Sequence, residues 1–294
     1  MRLQAGYHGD IAIADYVSDP CEAPSASTST ILNILNRSAR HVHLNHPRLG
    51  GVSDGGSSRG DIGSAVHSLA LGGPAVEYVG EVVRKSGKDK GLPFVPEDWK
   101  TADAQEQRDA IRARGGIPLL EHDRACVESA ASSVKDLLAE FGPMDLEQTM
   151  VWFDEEHGVW CRGRPDALPR TKQWDIDVKT CENADPASWI RSTLYSGGYD
   201  VQGMLRSRGH ETLTGRTRDP LYVLVEIEPP YAASMVALSP EAMECARLKV
   251  DAGLALFAKH LKANDWPGYD RRIHYAEVPA YVRHDLAARL GVSL

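Results

Sequence analysis

The chain has 294 residues, 42% of them hydrophobic and 25% charged, which is typical of a globular protein with enough apolar material for a core. Its formal net charge of −8 repels DNA at long range, so the overall charge gives no indication of a nucleic-acid-binding protein. Five cysteines without a Cys-x-x-Cys pair argue against a zinc ribbon or an iron–sulfur cluster, and the absence of a signal or membrane-spanning segment predicts a cytoplasmic protein with free, buried thiols.

The first half of the sequence predicts helices separated by loops. Hydroxyl side chains offer a helix N-cap ahead of an apolar stripe, and glycine and serine mark a loop before the next helix. The predicted elements are a lead-in segment at residues 1–26, a helix from Ser27–Thr30 to about Arg40, a loop from Gly50 to Gly63, a helix carrying His67, a connection at 80–97, and helices at 101–114 and 120–140.

The second half predicts a sheet flanked by helices. A hairpin is expected across an acidic turn, and the next strand is expected to pair beside it. Ser239 and Pro240 are a typical helix start. The predicted elements are strands at Met150–Phe153, Val159–Gly163 and Gln173–Thr180, a helix from Pro186 to Tyr195, a helix containing Gln202, strands at Leu221–Ile227 and Ala232–Leu238, and a helix from Ser239 to about Ala263.

The strand from Trp174 to Thr180 alternates strictly between apolar and charged residues. Its apolar face therefore presents Asp175, Asp177 and Lys179 together on the opposite side. Asp166 precedes Asp177 by eleven residues, which is enough for the chain to turn and return antiparallel. We therefore expect the carboxylates of Asp166 and Asp177 to be neighbours.

Two neighbouring carboxylates in a partly desolvated site repel each other unless a cation compensates their charge. Mg²⁺ prefers oxygen ligands and keeps several waters, so Asp166, Asp177 and the backbone carbonyl of Val178 would be a sufficient protein contribution. Mn²⁺ is expected to substitute. Lys179 points to the same face, where it would hold or help deprotonate an attacking water and stabilise transition-state charge. This combination predicts hydrolysis of a phosphodiester.

Structural alternatives accompany these assignments. An alternating charged strand is also typical of a solvated sheet edge, and a lone histidine such as His67 is typical of a packed core side chain. Tyr199 is equally consistent with a core position and with stacking on DNA. The histidines at positions 41, 43 and 46 are expected at the end of the first helix, either available for phosphate contacts or merely exposed. The acidic turn Asp154–Glu156 is interpreted as structural.

The sequence resembles the PD-(D/E)xK nuclease superfamily over nearly its whole length. The resemblance is carried by Gly163–Asp166, Asp177–Lys179 and Tyr199–Gln202, and it is closest to the RecB-like branch and the phage or prophage exodeoxyribonuclease VIII (RecE) type. Tyr7–Asp10 and Gly63–Leu69 also look like segments of such exonucleases. One position departs from the pattern, because Arg206 follows Gln202 where many relatives have tyrosine.

The resemblance implies an α/β fold with a restriction-endonuclease-like core, in which helices flank a mixed central sheet and an N-terminal helical elaboration precedes it. Residues 1–145 would contribute the His67 helix, and residues 146–294 would form the nuclease core and C-terminal helix, with both parts in one integrated domain. His67 would be an additional metal ligand, and Gln202 would orient the catalytic assembly.

The implied function is a Mg²⁺-dependent exonuclease that acts on double-stranded DNA ends, with 5′-to-3′ polarity, a ring-like homo-oligomer and a single-strand annealing recombinase as partner. We expect a local basic channel inside the acidic surface, although its cations are also consistent with dispersed surface charge. The expected channel residues are Arg162, Arg164, Arg170, Lys172, Lys179, Arg191, Arg206 and Arg208. The predicted DNA contacts are Arg162, Arg164, Arg191, Tyr199 and Arg206. The alternatives are a related endonuclease or repair nuclease, and a non-catalytic DNA-binding phage accessory protein.

Overall fold

The computed structural model of the chain describes residues 2–9, 11–51 and 59–291. The helices are α1 (Ile13–Val17), α2 (Thr28–Asn36), α3 (Ala39–Asn45), α4 (Arg59–Leu71), α5 (Ala102–Ala113), α6 (Arg124–Ala139), α7 (Pro186–Trp189), α8 (Tyr199–Thr214), α9 (Pro240–Ala263) and α10 (Ala280–Leu290). The strands are β1 (Gly6–His8), β2 (Val76–Val79), β3 (Val82–Val83), β4 (Pro93–Phe94), β5 (Ile117–Leu120), β6 (Met144–Leu146), β7 (Thr149–Asp154), β8 (Val159–Gly163), β9 (Ala167–Pro169), β10 (Trp174–Cys181), β11 (Asp219–Glu226) and β12 (Ala233–Ala237).

A five-stranded mixed sheet with the order β12-β11-β10-β9-β6 forms the centre of the molecule and confirms the predicted α/β class. Strand β10 runs parallel to β11, and the other pairs are antiparallel. Because side chains alternate along a strand, Val223 and Val225 pack toward α4 and α6, whereas Tyr222 and Leu224 pack toward Trp189 of α7. The central strands are therefore buried on both faces.

The charged face of β10 is covered by protein rather than by solvent. Asp175 and Asp177 are paired in register with Pro220 and Tyr222 of β11, so they lie on the sheet face that packs against α8. Both aspartates are buried, at 0% and 1% exposure. The alternative of a solvated edge strand does not hold, since β10 has a neighbouring strand on each side.

A second sheet with the order β1-β7-β8 packs against α8. The hairpin of β7 and β8 confirms the prediction, but the expected pairing of this hairpin with β10 is wrong. Strand β9 occupies the place beside β10, while Ala26 bridges to Cys161 of β8 on the side away from β7. The turn predicted between Asp166 and β10 therefore contains a short strand of its own.

Several N-terminal boundaries also differ from the predictions. The first helix breaks after Asn36 and resumes as α3, and the connection at 80–97 contains the β3–β4 hairpin. Strand β5 precedes α6, which begins at Arg124. The predicted Gly50–Gly63 loop ends earlier, because α4 begins at Arg59; its residues 52–58, like Asp10, lie outside the described residues.

Helix α4 shares one apolar core with the central sheet. Ala65 and Val66 of α4 are fully buried in a cluster that includes Ile176 and Val178 of β10. We therefore propose that residues 1–145 and 146–294 form one integrated unit. In the described part of the chain, no helix combines the length and the apolar character that a membrane span requires.

Helix α8 lies directly on the second sheet at Gly209. A Cβ atom at this position would come within 2.8 Å of the Trp152 indole ring, which is fully buried.

Gly209→Ala is therefore expected to lower the free energy of unfolding by about 1–3 kcal/mol, because overpacking forces the helix and ring apart. Urea denaturation measures this change. Glu211→Ala, at an exposed position on the same helix, should stay within about 0.5 kcal/mol of wild type; equal effects of both variants would contradict the packing argument.

Candidate metal and catalytic site

A cleft of about 1050 Å³ opens over the edge where α4, β10 and α8 meet. All the residues predicted to act in metal binding and catalysis line it. They are His67, Asp166, Asp177, Val178, Lys179 and Gln202, and they are joined by Glu147.

Asp166 and Asp177 lie side by side, as predicted. The backbone N–H of Asp166 donates to the carbonyl of Ile176 at 3.2 Å, and its carboxylate accepts from the N–H of Val178 at 2.7 Å. The start of β9 is thereby fixed against β10. Burial and the nearby Asp177 raise the pKa of Asp166. Burial opposes ionisation of Asp177 as well, but Lys179 and Arg206 outweigh it and lower its pKa to about 2.

His67 connects Asp166 to a second carboxylate that the sequence did not single out. Its Nε2 lies 2.8 Å from Oδ2 of Asp166, and its Nδ1 lies 3.1 Å from Oε1 of Glu147. Burial disfavours the charged imidazole, but both carboxylates outweigh it and raise the pKa of His67 to about 10. A protonated imidazole therefore lies between two carboxylates, and a cation held by the same three groups would take the place of that proton.

Glu147 reaches the site through strand pairing. It follows β6, whose last residue pairs with Ala167 of β9, and its N–H donates to the carbonyl of Asp166 at 2.9 Å. Its backbone has a positive φ of 51°, an uncommon conformation for glutamate. A turn residue has no periodicity that would mark it in the sequence, so Glu147 was missed.

Asp177 is engaged by two cations. Its Oδ1 accepts from Nη1 of Arg206 at 2.6 Å, and its Oδ2 pairs with Nζ of Lys179. Lys179 also lies 5.0 Å from the centre of the Tyr199 ring, which stacks on Trp189. Burial disfavours the ammonium, but Asp177 and Asp166 outweigh it and raise the pKa of Lys179. Lys179 is therefore an ammonium group, suited to stabilising anionic charge.

Gln202 has an orphaned amide oxygen. Its side chain lines the cleft, and Oε1 is buried without a hydrogen-bond partner among the described residues. Leaving a buried acceptor unpaired costs about 1–3 kcal/mol. This oxygen is therefore placed to accept a hydrogen bond from a water or substrate group.

The residues present fit a divalent cation. His67, Glu147 and Asp166 each offer a ligand atom, and these atoms all lie within 4.8 Å of one another. Oxygen donors suit Mg²⁺ and Mn²⁺, and imidazole is a common additional ligand for transition metals. This cluster differs from the predicted ligand set, because Glu147 takes part and Asp177 is held by Lys179 and Arg206.

The predicted basic channel does not form from the predicted arginines. Arg162 is buried, where it donates to Ser25 Oγ at 2.6 Å and lies 3.4 Å from Asp19. Arg164 is bound to Glu147 at 2.8 Å, and Arg206 is 1% exposed. Because their guanidinium groups are used in internal contacts, Arg162 and Arg206 are corrected from DNA contacts to internal ion-pair partners. Arg191 is exposed but does not line the cleft, whereas Tyr199 does.

Comparisons with known proteins find similarity to nuclease-like folds. A family model described as a PDDEXK-like domain of unknown function (DUF3799) matches residues 117–279. A protein from Eubacterium rectale described as a candidate exonuclease superposes with a TM-score of 0.61, at 12% identity over 95% of this chain and 98% of its own. No curated protein sequence matches the chain.

Two further solved structures show more limited similarity. The alkaline exonuclease from Laribacter hongkongensis has a TM-score of 0.30 at 16% identity, over 56% of this chain and 86% of its own. A phage-related exonuclease from Haemophilus somnus has a TM-score of 0.31 at 14% identity, over 68% of this chain and 95% of its own. The inference of a common fold rests on the Eubacterium rectale structure.

Loss of one donor from the cluster is expected to weaken cation binding. Glu147→Gln keeps the shape of the side chain but removes its charge, so Mn²⁺ should bind at least about 10-fold more weakly, since even indirect partners of a metal site contribute about that much. Isothermal titration calorimetry measures the affinity. Glu241→Gln, at an exposed position on α9, is the matched control; a Glu147→Gln variant that binds Mn²⁺ as tightly as wild type would exclude Glu147 as a ligand.

Proposed function

The chain belongs to the family of PDDEXK-like domains of unknown function (DUF3799), and from this membership we propose that it is a divalent-metal-dependent deoxyribonuclease acting on double-stranded DNA ends. The membership confirms the resemblance to PD-(D/E)xK nucleases. The observation that carries the proposal is the convergence of Asp166, Asp177 and Lys179 in one cleft beside the His67–Glu147 pair. The Eubacterium rectale protein, whose fold matches over nearly its full length, is described as a candidate exonuclease, which supports the choice.

The proposed reaction is hydrolysis of a phosphodiester, in which a water oxygen forms a bond to phosphorus, one phosphorus–oxygen ester bond breaks, and a proton from the water ends on the leaving oxygen. His67, Glu147 and Asp166 would hold a divalent cation, with Asp177 and the carbonyl of Val178 as further oxygen donors on the same edge of β10. When bound, such a cation supplies Lewis-acid stabilisation of the phosphate charge and lowers the pKa of bound water.

The remaining roles belong to side chains of the cleft. The Lys179 ammonium donates hydrogen bonds to the attacking water and to the phosphate oxygens that gain charge in the transition state. The Gln202 Oε1 accepts a hydrogen bond from that water and so fixes its orientation. Asp177 holds Lys179 in place, because its Oδ2 is the ion-pair partner of the ammonium.

The finer parts of the proposal rest on the resemblance to exodeoxyribonuclease VIII. They are Mg²⁺ as the resident cation with Mn²⁺ as substitute, 5′-to-3′ polarity, a ring-like homo-oligomer, a single-strand annealing recombinase as partner in phage-type recombination, and a cytoplasmic location. An enzyme that acts from an end needs a free terminus, so this proposal differs measurably from an endonuclease.

Digestion of end-labelled linear duplex DNA tests the proposal. Wild-type protein with Mg²⁺ is expected to shorten linear duplex, to release a 5′ label before a 3′ label, to leave closed-circular duplex intact and to lose activity in EDTA. Lys179→Ala should lower the rate by about 100- to 1000-fold, the usual cost of losing one group that stabilises transition-state charge. Lys135→Ala removes an exposed lysine of α6 and should retain full activity.

Other outcomes identify other functions. Cleavage of closed circles would replace the proposal with an endonuclease. Activity that survives both EDTA and Asp177→Ala would show that a contaminant cleaves the DNA. Binding of duplex without any cleavage would identify a DNA-binding protein that has lost turnover.

A further inference from the structure

A buried chain of polar side chains leads away from Asp177 through Arg206. The guanidinium of Arg206 donates from Nη1 to Asp177 at 2.6 Å, and its Nη2 lies 3.0 Å from Oδ1 of Asp175. Asp175 and Asp177 are two residues apart on one face of β10, so a single planar fork spans both carboxylates. Arg206 thus fixes the two aspartates relative to each other.

This series of polar contacts continues to the second sheet. Nε2 of His210 lies 3.0 Å from Oδ2 of Asp175, and Nδ1 of His210 lies 2.7 Å from the hydroxyl of Tyr7 on β1. Arg206 and His210 are four residues apart on α8 and therefore share the helix face that packs on β10. Asp175 therefore forms an ion pair with Arg206 through Oδ1, without hydrogen-bond geometry, and a hydrogen bond with His210 through Oδ2.

Stability alone is a poor explanation for this arrangement. Asp175, Arg206 and His210 are each at most 1% exposed. Buried ion pairs contribute little net stability, because desolvation offsets their attraction and apolar residues of similar size often serve equally well. Such a network does fix geometry, and here its end is the carboxylate that holds Lys179.

We propose that Arg206, Asp175, His210 and Tyr7 form a positioning relay that sets the orientation of the Asp177 carboxylate in the cleft. The relay rests on the proposed nuclease function. It accounts for two features of the sequence, Tyr7 near the N-terminus and arginine in place of tyrosine four residues after Gln202. None of the relay residues other than Arg206 lines the cleft, so they act through Asp177.

A double-mutant cycle on kcat and KM tests the relay. Tyr7→Phe removes one hydroxyl and is expected to lower kcat about 10-fold with KM unchanged, the usual effect of losing an indirect partner of a metal site. Arg206→Lys should lower kcat further, and the double variant should equal Arg206→Lys alone, because the relay is already interrupted. Tyr78→Phe, whose hydroxyl is buried elsewhere, is the matched control and should retain wild-type kcat.

Two results would overturn the relay: a Tyr7→Phe variant with the kcat of the control, or effects of the two substitutions that multiply. If Arg206→Lys does not fold, His210→Gln takes its place in the cycle. Mn²⁺ affinity gives a readout that is independent of turnover. If the wild-type protein is inactive but the single and double variants lower Mn²⁺ affinity non-additively, the nuclease proposal is overturned and the relay is supported.

A different observation concerns the tip of the β3–β4 hairpin. Four of the seven residues from Arg84 to Lys90 are cationic and one is acidic, the densest run of lysine and arginine in a chain of net charge −8. Backbone hydrogen bonds between Arg84 and both Gly91 and Leu92, at 2.8 and 3.0 Å, hold the hairpin together. The tip is therefore an ordered cationic projection.

Its cations are only partly used by the protein. The Arg84 guanidinium lies 4.1 Å from the centre of the Phe94 ring, and Lys85 pairs with Glu106. Lys88 and Lys90 are exposed, and neither forms an ion pair with another described residue. They are available to an anionic partner.

A short segment connects the hairpin to the cleft. Pro74 lines the cleft, and the chain from there to Gly80, which includes β2, spans at most about 20 Å at 3.3 Å per residue. Since Arg162 and Arg206 are occupied internally, we infer that the hairpin tip, through Lys88 and Lys90, contacts the phosphate backbone of the bound DNA. This inference also rests on the proposed function.

The salt dependence of duplex binding in EDTA tests the hairpin. Each lost phosphate contact reduces the slope of log K against log salt by about 0.9, so Lys88→Glu/Lys90→Glu should reduce it by about 1.8. Lys259→Glu/Lys262→Glu makes the same charge change at exposed positions of α9 and should leave the slope near that of wild type.

Equal slopes for the two double variants would overturn the hairpin inference while leaving nuclease activity intact. Wild-type protein that binds duplex through the hairpin but never cleaves it would instead overturn the nuclease proposal. Wild-type protein that does not bind duplex at all would contradict both.

Discussion

The site depends on the close approach of two buried carboxylates, Asp166 and Asp177. Their mutual repulsion, together with desolvation, opposes the fold unless nearby cations compensate it. The described structure provides these as His67 beside Asp166, and Lys179 and Arg206 beside Asp177. Each carboxylate is thereby compensated from a different side, and a divalent cation beside Asp166 would take over the role of the His67 proton.

This compensation explains why elements distant in sequence must meet. Helix α4 brings His67 from the N-terminal half, β6 brings Glu147 through its pairing with β9, and α8 brings Gln202 and Arg206 across the sheet. The apolar cores on the two faces of the central sheet hold these elements at fixed distances. The geometry of the site is consequently a property of packing rather than of any single segment.

The acidic character of the chain is consistent with this design. Most arginines around the site neutralise internal carboxylates, as Arg164 does for Glu147 and Arg208 does for Asp154. Cationic residues near the motifs in sequence are therefore a poor guide to DNA contacts. Side chains that project on exposed turns, away from such partners, are better candidates.

The residue pattern was enough to predict the fold class and the shared position of Asp166, Asp177 and Lys179. The alternation of β10 and the spacing from Asp166 to Asp177 predicted the neighbouring carboxylates, because strand geometry places alternate residues on one face. Tertiary structure alone decided the rest. Glu147 enters through strand pairing, Arg206 turns inward because two buried aspartates require a counter-charge, and β10 pairs with β9 and β11 instead of the hairpin. Local sequence patterns specify which face of a strand or helix a side chain occupies. Only long-range packing specifies which residues that side chain contacts.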